Sequence, residues 1–201
     1  MNLRDEFGDI DIYLFDQLLR QRVTPGMRIL DAGCGGGRNL VYLLRAGFDV
    51  YGVDPSSEAV DRVRALAARV APHLPPTNFR AESVERLSFD AAFFDFVICH
   101  AVLHFADDER HFDYMLDGLW RVLKPQAVLF ARLASIKGIE ELVVPIHGRR
   151  YHLPDGTDRF LIDDGVLQEA TERLGGVLLD PIKTVNVQDQ RCMTTWCLRK
   201  P

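Results

Sequence analysis

A glycine-rich segment near the N-terminus constrains the fold of this chain more than any other feature. It follows the apolar residues Ile29 and Leu30 and reads Asp-Ala-Gly-Cys-Gly-Gly-Gly-Arg-Asn over residues 31–39. Glycine permits positive φ and close approach of a ligand, and the amides at the start of a following helix carry partial positive charge. The segment therefore predicts a strand-to-helix turn that holds a nucleotide-like cofactor.

Composition and charge favour a single domain that acts on small molecules. The 201 residues are 47% hydrophobic and 26% charged, which suits a chain with one substantial core. A formal net charge of -5 argues against a surface built to neutralise phosphates, so we expect a small-molecule partner and no nucleic acid. The charged N-terminus and the short apolar runs predict a cytoplasmic chain without membrane binding, because a bilayer span needs roughly 20 apolar residues.

The four cysteines have no spacing typical of a disulfide framework or a metal site. They are Cys34, Cys99, Cys192 and Cys197. Their apolar neighbours predict small buried hydrophobic residues, and Cys34 is predicted to fill space in the glycine segment. We therefore expect no structural metal.

Strand and helix patterns alternate between residues 26 and 134. Strands are predicted at 28–30, 48–53, 78–81, 96–99 and 127–133, and helices at 39–46, 57–70 and 109–123. Such alternation predicts an α/β fold with a doubly wound, mostly parallel sheet that helices cover on both faces. In this architecture a ligand binds at the carboxyl ends of the strands.

The two ends of the chain follow different patterns. Residues 1–25 are predicted to form an N-terminal cap region with a helix over 11–22. Residues 135–162 are rich in polar and turn residues without clear periodicity, which predicts an exposed loop or lid. Residues 163–201 are predicted to form a helix and two β-rich stretches, which can pair as a C-terminal antiparallel hairpin on the sheet edge.

The spacing of the glycines excludes two common nucleotide-binding loops. The dinucleotide pattern G-x-G-x-x-G fails, because its last position is Arg38 counted from Gly33 and Leu40 counted from Gly35. The phosphate-binding Walker A loop of nucleoside triphosphatases needs Gly-Lys followed by Ser or Thr, whereas this chain has Gly-Arg-Asn at 37–39.

Four residues of the segment match a different pattern. Asp31, Gly33, Gly35 and Gly37 read D-x-G-x-G-x-G, which resembles motif I of the class I S-adenosylmethionine-dependent methyltransferases. Residues 94–105 resemble motif IV of the same family, and the resemblance covers roughly residues 26–134, the expected cofactor-binding core. It implies a Rossmann-like, seven-stranded methyltransferase fold, S-adenosyl-L-methionine as the methyl donor and S-adenosyl-L-homocysteine as the product. The Gly-Arg-Asn triplet is also similar to small bacterial methyltransferases of the tellurite-resistance type.

The resemblance implies a set of contacts with the methyl donor. Asp31 would bind its ammonium group, directly or through water. The backbone of the segment would carry the ligand through Gly33, Cys34, Gly35, Gly37, Arg38 and Asn39. Asp54, which follows Asp31 by 23 positions and precedes Pro55, stands where a carboxylate accepts the ribose hydroxyls. The alternative for this position is a helix N-cap region that begins at Ser56 or Ser57.

Two further segments complete the expected donor site. Glu82 would accept from the adenine amine, and the backbone of Ser83 would address a ring nitrogen, if they are not simply solvated residues before a short helix. His100, at the end of the fourth predicted strand, would contact the cofactor.

Candidate catalytic residues follow from the chemistry of methyl transfer. The protein mainly aligns the acceptor behind the methyl group and excludes water. A hydroxyl or ammonium acceptor loses a proton, and His104 or His100 is the candidate base, whereas a thiolate needs none. The alternatives are backbone contact with the cofactor for His100 and packing at a helix start for His104.

The methyl acceptor is the least constrained part of the prediction. Tyr13 or Phe7 of the N-terminal region is a candidate to close the site, a role that is compatible with packing of the helix on the sheet. Arg149 with Arg150 could dock an anionic substrate, but charge alone favours a solvated basic loop. We expect methyl transfer to a small molecule. A non-catalytic regulatory protein that binds the cofactor, and a methyltransferase acting on a macromolecule docked on residues 149–159, remain open alternatives.

Overall fold

Helices and strands alternate through most of residues 2–201, the part of the chain that the structure, a computed structural model, describes. The helices are α1 (Leu3–Phe7), α2 (Ile12–Leu19), α3 (Val41–Arg45), α4 (Ser57–Val70), α5 (Glu109–Val122) and α6 (Asp164–Arg173). The strands are β1 (Arg28–Ala32), β2 (Asp49–Asp54), β3 (Phe79–Ala81), β4 (Phe94–His100), β5 (Leu123–Ser135), β6 (Val144–His147), β7 (Arg150–His152), β8 (Asp158–Phe160), β9 (Val177–Leu178), β10 (Lys183–Val187) and β11 (Arg191–Arg199). No helix within residues 2–201 has the length and apolar character that crossing a membrane requires.

The main sheet has the strand order β10-β11-β5-β4-β1-β2-β3, and the two-residue strand β9 adds to β11. Strands β3, β2, β1, β4 and β5 run parallel, whereas β11 is antiparallel to β5 and to β10. The predicted mostly parallel sheet with a C-terminal antiparallel hairpin is therefore confirmed. The chain reverses its winding direction between β1 and β4, and a ligand crevice lies outside the carboxyl ends of the strands at such a point.

Strand β4 shows why the central strands read as continuous apolar runs. Val97 and Cys99 pack into one core cluster, and Phe96 and Ile98 pack into the other, because successive side chains point to opposite faces of a sheet. Helices α5 and α6 contribute to the first cluster, and α3 and α4 contribute to the second. All four cysteines are buried and free, as their apolar surroundings predicted.

The N-terminal region contains two helices where one was predicted. Helix α1 precedes α2, and α2 ends at Leu19 rather than at residue 22. Gln21 adopts a φ of 56°, a left-handed conformation that does not continue a helix. Asp11 caps α2, since its carboxylate accepts hydrogen bonds from the amides of Tyr13 and Leu14.

The prediction of an irregular loop over 135–162 is wrong for much of this segment. Strands β6, β7 and β8 form a separate antiparallel sheet, and Phe160 of β8 and Leu153 of the turn before it are buried. The ring of Phe160 stacks on Phe112 of α5 with 5.2 Å between centroids. Strand β6 reads Val-Pro-Ile-His and β7 reads Arg-Tyr-His. Neither strand alternates apolar and polar residues in the usual way, so the sequence pattern of a strand is absent.

Candidate functional site

The glycine segment forms the turn after β1, and its glycines have different tasks. Gly33, Gly35 and Gly37 have positive φ values of 82°, 51° and 82°. A Cβ on Gly33 would lie 2.1 Å from Cγ2 of Val102, and one on Gly37 would lie 2.9 Å from Cγ2 of Val63. A Cβ on Gly35 would meet nothing within 4 Å. Gly33 and Gly37 are therefore required by the packing of the turn, whereas Gly35 borders open space that a ligand can use.

Asp31, the penultimate residue of β1, is a buried carboxyl group without a full set of hydrogen-bond partners among residues 2–201. Its side chain is 1% exposed, and Oδ1 has no hydrogen-bond partner among residues 2–201. Burial, and after it the charge of Asp54, raise the pKa of Asp31 to about 7, although the charge of Arg38 opposes the shift. An unpartnered buried acceptor is costly, so a cationic donor such as the ammonium group of a ligand is its natural complement.

Asp54 connects the end of β2 with the glycine turn and with α4. Its Oδ2 accepts from the amide of Gly35 at 3.0 Å, and its Oδ1 accepts from the amide of Ser56 at 2.9 Å. Pro55 follows Asp54 in the chain, and Ser56 then caps α4. Each carboxylate oxygen can accept a second hydrogen bond, so Asp54 retains capacity for ligand hydroxyl groups while it shapes the turn.

The other predicted donor-site residues are more strongly committed to the protein. The Glu82 carboxylate accepts from both the amide and the hydroxyl group of Ser88, although its backbone amide bonds to the carbonyl of Asp54 at 3.1 Å. Ser83 precedes the short helical turn over 84–86. Cys34 is buried and packs against Gly52 of β2. The backbone amide of Glu82 thus lies beside Asp54, whereas its carboxylate binds Ser88.

A buried network that the sequence analysis missed joins the N-terminal region to the cleft. Oδ2 of Asp11 lies 3.1 Å from Nε2 of His100 and 2.9 Å from Nη1 of Arg132. The amide of Asp11 donates to Oδ1 of Asn39 at 3.0 Å, so Asn39 binds this segment. Burial tends to raise the pKa of Asp11, but the hydrogen bond from His100 and the charge of Arg132 outweigh it and lower the pKa.

Two sequence signals could have exposed this network. Asp11 stands directly before the helical pattern, as an N-cap residue does. Arg132 is a single charge within the apolar run of the fifth strand, and a charged residue in a strand buried on both faces needs a partner. Tyr13 lies beside the same network, with its ring centroid 5.1 Å from the guanidinium carbon of Arg132.

His104 is held as a neutral imidazole. Its Nδ1 accepts from the amide of Ala134 at 3.2 Å, which requires the proton to sit on Nε2. Burial lowers the pKa of His104 to about 3, and the positive charges of Arg159 and Arg191 contribute. Because its unprotonated nitrogen is engaged by the backbone, His104 can donate a hydrogen bond but has no free lone pair to take up a proton.

A cavity of about 330 Å³ lies beyond the carboxyl ends of β4 and β5. His100 and His104 line one part of it, and residues of the turn between β7 and β8 and of β11 line the rest. Four arginines border this cavity, which we call the acceptor cavity: Arg38, Arg132, Arg159 and Arg191. Since Arg38 directly follows the last glycine of the turn, the cavity adjoins the glycine segment.

The predicted pair Arg149 and Arg150 does not line the acceptor cavity. Arg149 forms an ion pair of 2.9 Å with Asp163 at the start of α6, and Arg150 donates to the carbonyl of Ala106 at 3.0 Å. The segment does supply a cavity arginine, but it is Arg159. For Arg150, strand pairing explains the difference. Arg150 lies opposite Phe160, and Arg159 lies opposite Tyr151, so Arg150 and Arg159 point to different faces of the small sheet.

A model of the methyltransferase domain family matches residues 30–131 of the chain. Among curated proteins, a ubiquinone biosynthesis O-methyltransferase of Coxiella burnetii is 30% identical over 169 residues, which are 81% of this chain and 69% of that protein. A ubiquinone biosynthesis O-methyltransferase of Chelativorans is 30% identical over 77% of this chain, and an uncharacterized methyltransferase of Synechocystis is 31% identical over 53% of it. The chain spans 60% and 46% of those two relatives, respectively.

Solved structures share the fold at low sequence identity. A protein of Pyrococcus horikoshii superposes with a TM-score of 0.74 at 18% identity, over 94% of this chain and 89% of that one. A Burkholderia thailandensis didemethyltoxoflavin N-methyltransferase, crystallised with its substrate and S-adenosylhomocysteine, superposes with a TM-score of 0.73 at 19% identity. The superposition covers 99% of this chain and 81% of the Burkholderia protein.

Proposed function

The chain belongs to the class I S-adenosylmethionine-dependent methyltransferases, and we propose that it transfers a methyl group to a small molecule bound in the acceptor cavity. One observation carries the proposal. The glycine turn expected to hold the methyl donor continues into Arg38, which lines the cavity. A donor and an acceptor on the two sides of this turn would be adjacent, as direct transfer requires.

The residues of the glycine turn fit the methyl donor. Asp31 offers a buried acceptor without a donor, Gly35 borders open space, and Asp54 retains acceptor capacity next to it. When bound, S-adenosylmethionine supplies an electrophilic methyl carbon: a lone pair of the acceptor bonds to it while the carbon–sulfur bond breaks, and the electron pair stays on sulfur. Asp31 would orient the amino acid end, and Asp54 the ribose.

We assign the two histidines of the cavity different tasks. Nε2 of His100 forms a hydrogen bond with Oδ2 of Asp11. When Nε2 carries the proton, Nδ1 has a lone pair that can take a proton from the methyl acceptor. His104 donates from Nε2 and would hold an oxygen atom of the acceptor. Arg132 keeps the Asp11 carboxylate ionised, so it acts on the reaction by positioning His100.

A two-part experiment tests the proposal. Calorimetry with S-adenosylhomocysteine measures donor binding, and labelled S-adenosylmethionine with a screen of thiols, amines, phenols and acids measures transfer. We expect binding and transfer to at least one class. Binding without transfer to any class would support the non-catalytic alternative, and no binding at all would refute the assignment of the cofactor.

The histidine assignment has its own variants. His100→Gln should lower the transfer rate to a phenol or an amine and change its pH profile, with donor binding retained, because only this imidazole has a free lone pair. Transfer to a thiolate should change far less, since no proton is removed. An unchanged pH profile in His100→Gln would exclude it as the base.

A further inference from the structure

The acceptor cavity carries more positive than negative charge, and the charges come from separate parts of the fold. Arg38 follows the glycine turn, Arg132 lies in β5, Arg159 lies in β8 and Arg191 begins β11. Asp155 is the acidic residue among those that line the cavity. Four cations around a space of about 330 Å³ are an unusual concentration for a chain whose net charge is -5.

Only part of this positive charge is neutralised by the protein. Arg132 pairs with Asp11, and Arg191 lies 3.4 Å from Asp155. Within residues 2–201, neither Arg38 nor Arg159 forms an ion pair with a carboxylate. Arg38 acts on the buried carboxyl group of Asp31 without a direct contact, so Arg159 has the least compensated charge at the cavity. The surrounding protein screens this charge less than bulk water does.

Two of the guanidinium groups, those of Arg159 and Arg132, have contacts with the protein that restrict them. Arg159 donates to the carbonyl of Asp158 at 2.8 Å, and its guanidinium carbon lies 4.7 Å from the ring centroid of Phe105. The Nε atom of Arg132 is buried and has no hydrogen-bond partner in the described part of the chain. Arginines fixed in this way lose little side-chain entropy when they bind an anion.

We propose that the methyl acceptor is a small carboxylate. The planar guanidinium groups match a carboxylate in geometry, and the Nε2 donor of His104 adds a neutral hydrogen bond. Phe105, Leu153 and Met193 give the cavity an apolar wall for the rest of the molecule. The volume is at the small end of ligand pockets, which suits one ring or a short chain. The identity of this anion as the acceptor rests on the proposed function, whereas its binding to the cavity does not.

Calorimetry with simple probes tests this inference. Phenylacetate carries the carboxylate, phenylacetamide is its neutral counterpart of the same shape, and phenyl phosphate is a larger anion. We expect phenylacetate to bind at least about tenfold more tightly than phenylacetamide, since a charge-assisted pair contributes about 1.5–3 kcal/mol. Phenyl phosphate should bind more weakly than phenylacetate.

Arginine variants locate the effect. Arg159→Gln and Arg191→Gln should each weaken phenylacetate binding by about tenfold and leave phenylacetamide and S-adenosylhomocysteine binding within about twofold. Arg173→Gln is the matched control, because Arg173 pairs with Asp113 and Asp117 on the surface of α5. It removes the same charge without touching the cavity and should change neither affinity.

The outcomes separate this inference from the proposed function. Equal affinity for phenylacetate and phenylacetamide would overturn the inference even if S-adenosylhomocysteine binds. A Kd for phenylacetate above about 1 mM would overturn it as well. Tighter binding of phenyl phosphate would also overturn it and assign the cavity to phosphate esters. A carboxylate preference that Arg173→Gln abolishes equally would reduce it to a surface-charge effect. Failure to bind S-adenosylhomocysteine would instead refute the proposed function.

Discussion

The two sides of the cleft have opposite charge. On the donor side, Asp31 and Asp54 stand at the carboxyl ends of the neighbouring strands β1 and β2. On the acceptor side, arginines from four distant parts of the chain surround a cavity. Of the two histidines that line it, His100 lies beside the carboxylate of Asp11, whereas His104 accepts from the amide of Ala134. The difference fits the two proposed ligands, an ammonium group on one side and an anion on the other.

The largest expected effect is on the donor side. Asp31→Asn should weaken S-adenosylhomocysteine binding by about a hundredfold, since it removes the buried charge that pairs with an ammonium group. Phenylacetate binding should stay within about twofold, because the acceptor cavity is unchanged. Calorimetry with both ligands checks this, and an equal loss of both affinities would contradict the separation of the two sides.

The same variant should affect stability in the opposite direction. The pKa of Asp31 is about 7 in the folded protein, above its ordinary value of 3.8. Its favourable contribution to stability is therefore complete below pH 3.8 and lost as pH rises through 7. At pH 8, Asp31→Asn is expected to unfold at a higher denaturant concentration than the natural chain, although it binds the donor less well.

Asp54→Ala should have the next largest effect. Donor affinity is expected to fall by about 1–3 kcal/mol, roughly ten- to hundredfold. The free energy of unfolding should fall as well, since the amides of Gly35 and Ser56 lose their acceptor. Asp54→Asn keeps one acceptor oxygen, so its donor affinity and its free energy of unfolding should lie between those of Asp54→Ala and the natural chain. Unchanged calorimetric affinity in Asp54→Ala would remove Asp54 from the donor site.

The pH dependence of donor binding should be smaller. Because the pKa of Asp31 is about 7, its ionised fraction rises about tenfold between pH 6 and pH 8, and the affinity for S-adenosylhomocysteine should rise in parallel. Asp31→Asn is the control and should show a flat profile in the same titrations. A rise of equal size in that variant would assign the dependence to another group.

The smallest expected effect on donor binding comes from His104. His104→Ala should lower the free energy of unfolding by about 1–3 kcal/mol, because the buried amide of Ala134 loses its acceptor, while donor affinity stays within about twofold. His104→Asn can keep an acceptor and should lose less.

Acid sensitivity gives a second measurement on the same residue. The pKa of His104 is lowered from 6.5 to about 3, so its contribution to stability is present above pH 6.5 and lost as pH falls toward 3. Both variants should therefore lose less stability than the natural chain in denaturant titrations between pH 6.5 and pH 4. The same acid loss in all three proteins would show that His104 is protonated normally in the folded state.

Predictability follows the same division of the molecule. The strands through β5 and their parallel arrangement could be predicted because each strand and helix pattern is contiguous. Asp31 and Asp54 could be expected to lie close together because the strands of one sheet end at one edge. The helix over 11–22 was too long, since the left-handed Gln21 carries no glycine signal. The small sheet over 144–160 was missed because its strands have three or four residues and little apolar alternation.

The sequence by itself determined the family, the α/β sheet and the position of the glycine turn, because these depend on local patterns in which spacing alone sets the geometry. Only the tertiary structure decided that Arg159 and Arg191, rather than Arg149 and Arg150, border the acceptor cavity. That arrangement depends on the pairing of β11 with β5 and on the contact of β8 with the short helical turn over 103–105, and no short stretch of chain encodes a contact between residues so far apart.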